Sequence, residues 1–197
     1  MIVSPYVLLA LICMFAIGFY LWTKRDPERE IPKDGIVSPA DGKVSVLRDD
    51  GEGNIRVGIF MNIHNVHVNR APITGYVVGL EYIRGKFLPA FSKDSERNER
   101  VRIVFSNIDP NKNNTKNVNE MGSEWEVILI AGAVVRRIKP YVEIGDYIEK
   151  GERIGHIAFG SRVDVIFPRN RELKEAIVGI GDQVKAGESI IMKNRDL

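Results

Sequence analysis

The chain has 197 residues, with 28 basic and 26 acidic side chains and a formal net charge of +2. Because the charges nearly balance and the basic residues are scattered, nucleic acid is not an expected partner. The single cysteine, Cys13, excludes an intrachain disulfide and a cysteine-ligated metal site. A hydrophobic fraction of 44% is sufficient for a real core, so the length predicts one sizeable domain, alone or with an anchor.

The N-terminal segment is apolar: the first 23 residues contain no charged side chain. As a helix, residues 2–22 would span about 30 Å, the thickness of a bilayer core. Tyr20 and Trp22 suit an interface, and the Lys24-Arg25 pair favours a cytoplasmic location for the rest of the chain. A cleaved signal peptide would need a basic start and a small-x-small site before Thr23. A buried helix of a soluble protein is disfavoured by the length of the segment together with its apolarity all round. We predict a single-pass cell-membrane anchor over residues 1–25 and a charged linker over 26–34.

From residue 35 onward, short segments rich in valine and isoleucine alternate with glycine turns, which predicts a mainly β domain over residues 35–197. Strands are expected at 43–47, 55–60, 76–82, 101–105, 126–130, 134–138, 153–158, 163–167 and 189–192. Residues 50–53 predict a hairpin turn, 107–122 a polar loop, and 84–99 a short irregular or helical stretch.

Two internal repeats are visible in the domain. Residues 145–154 match residues 181–190, and residues 39–44 share a Pro-x-x-Gly-x-Val frame with residues 72–77. The pattern resembles biotinyl/lipoyl-type modules and therefore predicts a barrel-sandwich-hybrid-like β domain. A carrier function is not expected, because no lysine stands in a methionine-flanked hairpin.

His64 and His67 are two of only three histidines, in a segment whose flanking residues favour a loop. On a turn their side chains could converge, whereas in a strand they would point to opposite faces. A zinc site would need a further ligand, and His156 is the one remaining imidazole, so no metal site is predicted. Hydrogen-bonded structural histidines are the alternative. Asp41, in a Pro-x-Asp-Gly turn, also has a purely structural alternative, because aspartate commonly bonds its own backbone there.

The dipeptide Gly160-Ser161 places a serine behind a flexible residue, in a chain that also holds candidate bases and acids. A serine with a base and an orienting acid can become a nucleophile, and glycine leaves its own carbonyl open to approach. Asp164 could cap or pair with Arg162, but a solvated strand residue is the preferred expectation. Arg70 and Arg162 could face phosphate but are expected to be surface charges.

Three motifs stand in this order in the chain: Ser38-Pro39-Ala40-Asp41-Gly42, His64-Asn65-Val66-His67-Val68-Asn69-Arg70-Ala71-Pro72 and Phe159-Gly160-Ser161-Arg162-Val163-Asp164. They resemble the motifs of phosphatidylserine decarboxylases, in the short form found in bacteria and archaea; the archaeal counterpart acts on archaetidylserine. The resemblance covers about residues 35–192. The longer enzymes carry Leu-Gly-Ser-Thr at the third motif, and here Arg162 follows the Gly-Ser pair.

The resemblance implies a proenzyme that cleaves itself between Gly160 and Ser161, with Asp41 orienting His67 and His67 taking the Ser161 proton. The new N-terminus of fragment 161–197 would become a covalent pyruvoyl group, the electron sink for decarboxylation. His67 would reprotonate the product carbon, and His64 would assist with the substrate carboxylate.

The implied partners are an aminophospholipid substrate, which Arg70 could meet at the phosphate, and the membrane that holds it. Fragments 1–160 and 161–197 would form a heterodimer, and a dimer of heterodimers is also open. Two other classes remain: a membrane-anchored adaptor without chemistry, and a serine hydrolase that uses Ser161, His67 and Asp41 on an external substrate.

Overall fold

The computed structural model describes residues 4–23, 25–49, 53–86, 88–90, 93–110, 124–133, 137–157, 160–168 and 174–194. Residues 50–52 of the predicted hairpin turn, most of the 107–122 loop, the start of the predicted 134–138 strand, and Ala158 and Phe159 lie outside these ranges. The described elements are helix α1 (Pro5–Thr23), a short 3₁₀ helix η1 (Lys93–Arg97), and β1 (Ile36–Val37), β2 (Gly42–Asp49), β3 (Asn54–Met61), β4 (Val68–Arg70), β5 (Gly75–Ile83), β6 (Arg100–Ser106), β7 (Glu124–Ile130), β8 (Ile138–Pro140), β9 (Tyr147–Ile148), β10 (Arg153–Ile157), β11 (Ser161–Pro168), β12 (Lys174–Ala176), β13 (Gln183–Val184) and β14 (Ile190–Asn194).

Helix α1 begins at Pro5, a residue suited to the first helical position because it has no N–H to leave unpaired. The Ser4 carbonyl accepts hydrogen bonds from the N–H groups of Val7 and Leu8, at 3.0 and 3.1 Å. The helix is apolar all round and exposed, and its length and composition are sufficient to cross a membrane. The predicted N-terminal helix is confirmed.

The rest of the described chain is β-structure, as predicted. Eight strands form one antiparallel sheet in the order β13-β2-β3-β11-β7-β6-β5-β9, which curls into a half-barrel. Two three-stranded sheets, β1-β14-β12 and β4-β10-β8, complete the domain. Stacked rings of Phe105, Trp125 and Phe167 lie in the core. β11 lies near the middle of the large sheet, between β3 and β7.

The sequence repeats are also structural repeats. The N–H of Gly145 donates to the Val77 carbonyl, and the N–H of Gly181 donates to the Val44 carbonyl, both at 2.8 Å. These two glycines have similar positive φ angles, +99° and +105°. In the same way β9 pairs with the start of β5, and β13 with the start of β2. The domain therefore contains two equivalent units of turn and strand, as the barrel-sandwich resemblance implies. The first unit holds residues 39–44 and 181–190, and the second unit holds residues 72–77 and 145–154.

Residues 25–35, here called the strap, connect α1 to β1 and lie against the domain. Asp26 accepts a hydrogen bond from Arg70 at 2.8 Å and pairs with Arg153. Further along, Lys150 Nζ donates to the Lys33 carbonyl at 2.6 Å. Arg153 and Lys150 therefore join the strap to the second repeat unit, and Arg70 joins it to β4.

Ile31 of the strap packs against a glycine of each repeat unit. A Cβ atom at Gly151 would lie 2.6 Å from Ile31 Cγ1, and one at Gly187 would lie 3.0 Å from Ile31 Cδ1. Both glycines also have positive φ angles, +85° and +76°. The strap therefore sits where the two units meet, in contact close enough to require residues without a side chain.

Candidate active site

Ser161 opens β11 and is fully buried. It lies opposite Met61, the last residue of β3, and shares a strand face with the core residue Val163. Its Oγ atom has no hydrogen-bond partner among the described residues. Since a buried hydroxyl is normally bonded, this one is a candidate reactive group.

Gly160 precedes the serine with φ at +68°, in the left-handed region. A Cβ atom there would meet nothing within 4 Å. Backbone conformation rather than crowding therefore favours glycine at this position, and the approach to the peptide bond is open on that side.

His67 is buried, only 1% exposed, between the turn after β3 and the start of β4. Its carbonyl accepts a hydrogen bond from Ile157 N–H at 3.3 Å. Ile157 stands four residues before Ser161, so the Cα atoms of these two residues are at most about 14 Å apart. The His67 ring lies 6.4 Å from that of His156, measured between centroids. His67 is therefore hydrogen-bonded to β10, the strand that precedes Gly160 and Ser161 in the chain.

His64 lies on the exposed turn between β3 and β4, where Asn65 N–H donates to the Asn62 carbonyl at 3.0 Å. Its own carbonyl accepts a hydrogen bond from the guanidinium of Arg25 in the strap. The two histidines of the motif therefore occupy different environments: His64 faces solvent and His67 lies in the core.

Asp41 has two partners from opposite ends of the chain. Its Oδ1 accepts a hydrogen bond from Ala186 N–H at 2.8 Å. Nη2 of Arg29 lies 2.9 Å from Oδ1 and 3.0 Å from Oδ2. The arginine side chain is 5% exposed and also pairs with Glu188 at 3.4 Å. Sequence reasoning missed Arg29, because a charged segment with two prolines is typical of a solvated linker.

Arg70 is buried, so its expected place on the surface is wrong. Its guanidinium donates to the Gly151 carbonyl at 2.9 Å and to Asp26 at 2.8 Å. Its backbone N–H donates to the Pro39 carbonyl at 2.9 Å, which ties β4 to the turn that carries Asp41. Arg70 therefore connects the strap, through Asp26, to β4 and to the turn that carries Asp41.

Asp164 and Arg162 form a buried ion pair, which corrects the expectation that both are solvated. Arg162 Nε and Nη2 donate to the two Asp164 oxygens at 2.7 and 2.9 Å, and Nη1 donates to Ser95 Oγ at 2.8 Å. Burial raises the pKa of Asp164, while the charges of Arg162 and Arg56 oppose that rise. The 3₁₀ helix η1 lies against this face of β11, since Ser95 and Glu96 both contact Arg162.

Asn69 is a second residue that sequence reasoning missed. It is fully buried in β4, and its Nδ2 lies 3.6 Å from Sδ of Met61, the residue opposite Ser161. Its Oδ1 has no hydrogen-bond partner among the described residues. Its position inside the histidine motif was the available signal. Within the described ranges, no group of three or more His, Cys, Asp or Glu side chains is arranged to hold a metal ion.

The fold and the sequence comparisons together define the class: a β-domain enzyme behind an apolar N-terminal helix. The family model for phosphatidylserine decarboxylase matches residues 17–192, and the chain belongs to that family. A putative archaetidylserine decarboxylase proenzyme of Halobacterium salinarum is 46% identical over 89% of this chain and 81% of its own length. A phosphatidylserine decarboxylase proenzyme of Streptomyces coelicolor is 48% identical over 85% of this chain and 69% of its own length. The expected family and the expected activity, a phospholipid decarboxylase of proenzyme type, are confirmed.

Proposed function

We propose that this protein is a precursor that cleaves itself between Gly160 and Ser161, and that the resulting pyruvoyl enzyme decarboxylates a serine phospholipid at the membrane. The observation that carries the proposal is the buried, unbonded Ser161 hydroxyl directly behind a glycine with φ at +68°. The relatives' description as proenzymes agrees with it.

In the proposed cleavage, His67 accepts the Oγ proton as Ser161 attacks the Gly160 carbonyl carbon, and it returns that proton to the departing amide nitrogen. The product is an ester between Gly160 and the Ser161 side chain, with a free amine at residue 161. Loss of the residue 161 Cα proton then breaks the Cβ–Oγ bond and frees fragment 1–160 with a carboxylate end. Water replaces the remaining nitrogen, which leaves as ammonia, and a ketone remains. Asp41 would orient His67 throughout.

The site fits a pyruvoyl group at residue 161. Because the Ser161 hydroxyl bonds to no described residue, its removal leaves no group of the described residues without a partner. Once formed, the pyruvoyl ketone supplies an electron sink for loss of carbon dioxide. His67 would hold the proton that the product carbon receives, and the exposed His64 would meet the substrate carboxylate. Arg70 could reach a lipid phosphate only by exchanging Asp26 for it.

A membrane location is supported by α1 and the strap. Arg25 donates to the Trp22 carbonyl at 3.0 Å, lies over the Trp22 ring at 4.0 Å, and donates to the His64 carbonyl. If α1 spans the bilayer as a single-pass anchor, His64 therefore lies at its surface, within reach of lipid headgroups. The domain would face the cytoplasm, as the basic residues after the helix favour.

The two fragments are proposed to remain together as a heterodimer. β11 belongs to fragment 161–197, yet it pairs along its length with β3 and along most of its length with β7 of the other fragment. Whether two such heterodimers associate is a separate question for solution mass measurement.

Intact mass of the purified protein tests the proposal. We expect two fragments, 1–160 and a 37-residue piece with a blocked amine, in place of one chain. Ser161→Ala should remain whole. The control Ser45→Ala removes a partly buried hydroxyl from β2 and should cleave normally. A serine hydrolase or an adaptor would instead remain a single unmodified chain, and that result would reject the proposal. Vesicles with diacyl or with isoprenoid ether serine lipids would then identify the substrate by release of carbon dioxide.

A further inference from the structure

Arg29 lies outside the three sequence motifs, yet its side chain contacts Asp41 of the first motif. We propose that Arg29 is a positioning residue for Asp41 during self-cleavage, so that the strap is part of the processing site. The inference rests on the proposed function.

One nitrogen of Arg29 makes both contacts to the carboxylate: Nη2 lies 2.9 Å from Oδ1 and 3.0 Å from Oδ2 of Asp41. The two side chains are 5% and 13% exposed, so water competes little with the pair. Charge-assisted hydrogen bonds in such surroundings are short and directional. The donor between the two oxygens holds the end of the carboxylate in place, while the Ala186 N–H on Oδ1 alone restricts its rotation.

A comparison with the second repeat unit shows which contact of Asp41 the turn itself requires. There Thr74 stands where Asp41 stands in the first unit, and its Oγ1 accepts the Lys150 N–H at 3.0 Å, just as Asp41 Oδ1 accepts the Ala186 N–H at 2.8 Å. A neutral hydroxyl therefore satisfies the turn. The carboxylate and the arginine bound to it exceed the requirements of the turn, which is expected where a local feature serves function.

The hydrogen bonds of the carboxylate indicate what Arg29 would do. Oδ1 of Asp41 accepts from both Arg29 and Ala186, while Oδ2 accepts from Arg29. An ionised carboxylate oxygen has about two acceptor sites, so Oδ2 keeps one for an imidazole N–H such as that of His67. Without Arg29, only the Ala186 N–H would hold the carboxylate, and the free acceptor site on Oδ2 would be less well placed. Loss of a hydrogen bond to a charged group corresponds to about 10- to 100-fold in rate.

The test measures the rate at which newly made full-length precursor disappears. Arg29→Met keeps an unbranched apolar stem but no donor, and should slow cleavage by about 10- to 100-fold. Arg29→Lys should cleave within about threefold of the natural chain, because a single nitrogen makes both contacts and an ammonium can replace it. Glu188→Gln removes the other ionic partner of Arg29, and Arg153→Gln removes another tether of the strap; both should cleave at the natural rate.

Each outcome decides the question. If Arg29→Met cleaves normally, the inference is wrong while the proposed function stands. If Arg153→Gln or Glu188→Gln slows cleavage as much, or if Arg29→Met in the uncut Ser161→Ala background does not fold, Arg29 only holds the strap in place and the positioning role is wrong. If the natural chain itself never cleaves, the proposed function fails first.

Discussion

Met61 and Ser161 are direct partners across the β3–β11 ladder, so the register of the sheet fixes where the serine lies. A slip of one residue would turn Ser161 from the core face to the opposite face of the strand. The candidate nucleophile is therefore positioned by the central sheet and not by a mobile loop.

Gly160→Ala should slow cleavage of the precursor. A left-handed backbone costs a residue with a Cβ about 1–2 kcal/mol, and the new side chain meets no neighbour, so the effect is conformational. Gly53→Ala is the matched control, with φ at +80° and nothing within 4 Å. Both variants should lose similar stability to urea, but only Gly160→Ala should lengthen the precursor half-life. Equal half-lives for the two variants would contradict the role given to Gly160.

Asp41→Asn should fold but slow cleavage by at least about 100-fold, because an amide accepts the Ala186 N–H yet supplies no charge to orient an imidazolium. Precursor and product are quantified on a gel or by mass. Thr74→Val is the control in the equivalent turn; it should cost about 1 kcal/mol of stability and leave the cleavage rate unchanged. A slow Thr74→Val variant would mean that turn integrity, not the carboxylate, limits cleavage.

Asp164→Asn should lower the free energy of unfolding by about 3–5 kcal/mol, because the buried Arg162 loses its bidentate counterion and keeps only Glu96, 3.8 Å away. Glu126→Gln should cost at most about 1 kcal/mol, since the Glu126–Arg102 pair is partly exposed. Urea unfolding of both variants in a Ser161→Ala background makes the comparison. Equal losses would show that the burial of the first pair is unimportant.

Gly151→Ala should destabilise the fold by about 1–3 kcal/mol more than Gly145→Ala. Both positions have positive φ, but only the Gly151 side chain would collide with Ile31 of the strap. Adding Ile31→Ala to Gly151→Ala should recover part of the loss, as measured by thermal unfolding. Without that recovery, the close contact between strap and repeat unit would not be the cause.

Burial, together with the hydrogen bond to Glu99, raises the pKa of Tyr82 to about 12. The fold favours the neutral phenol, so this contribution to stability is fully present below pH about 10 and is lost as the pH rises towards 12. The difference between the ultraviolet titration curves of the natural chain and of Tyr82→Phe should give the pKa of Tyr82. Glu99→Gln should lower the pKa of Tyr82, but not to the ordinary value of a phenol, because the partial burial of the ring remains. A normal phenol pKa in the natural chain would refute the contact.

Much of the fold was predictable from the sequence. Composition and the alternation of apolar residues predict the apolar helix and the longer strands, and the glycine repeats indicate the two equivalent units. The strands β9 and β13 lie inside the glycine repeats, where turn residues at both ends mark a short strand. The strands β1, β4 and β12 were missed, because two or three residues are too few for a visible alternation.

The site was predictable only as a set of motifs. The sequence predicts Ser161, His67 and Asp41 as site residues, but it could not place Arg29 beside Asp41, because that contact depends on how the strap crosses the domain. It also assigned Asp164 and Arg162 to solvent. Charged residues are usually exposed, and the covering of both faces of β11 is a property of the whole fold.

The place of β11 in the large sheet sets an order of events for the proposed maturation. A nascent chain lacks the ladder that brings residue 161 against Met61, so folding must come before the cut, and cutting should be first-order and independent of protein concentration. Once cut, the molecule has no route back: after denaturation, two separate polypeptides must find each other to rebuild the sheet. The mature enzyme should therefore refold with a concentration dependence that its uncut precursor does not have.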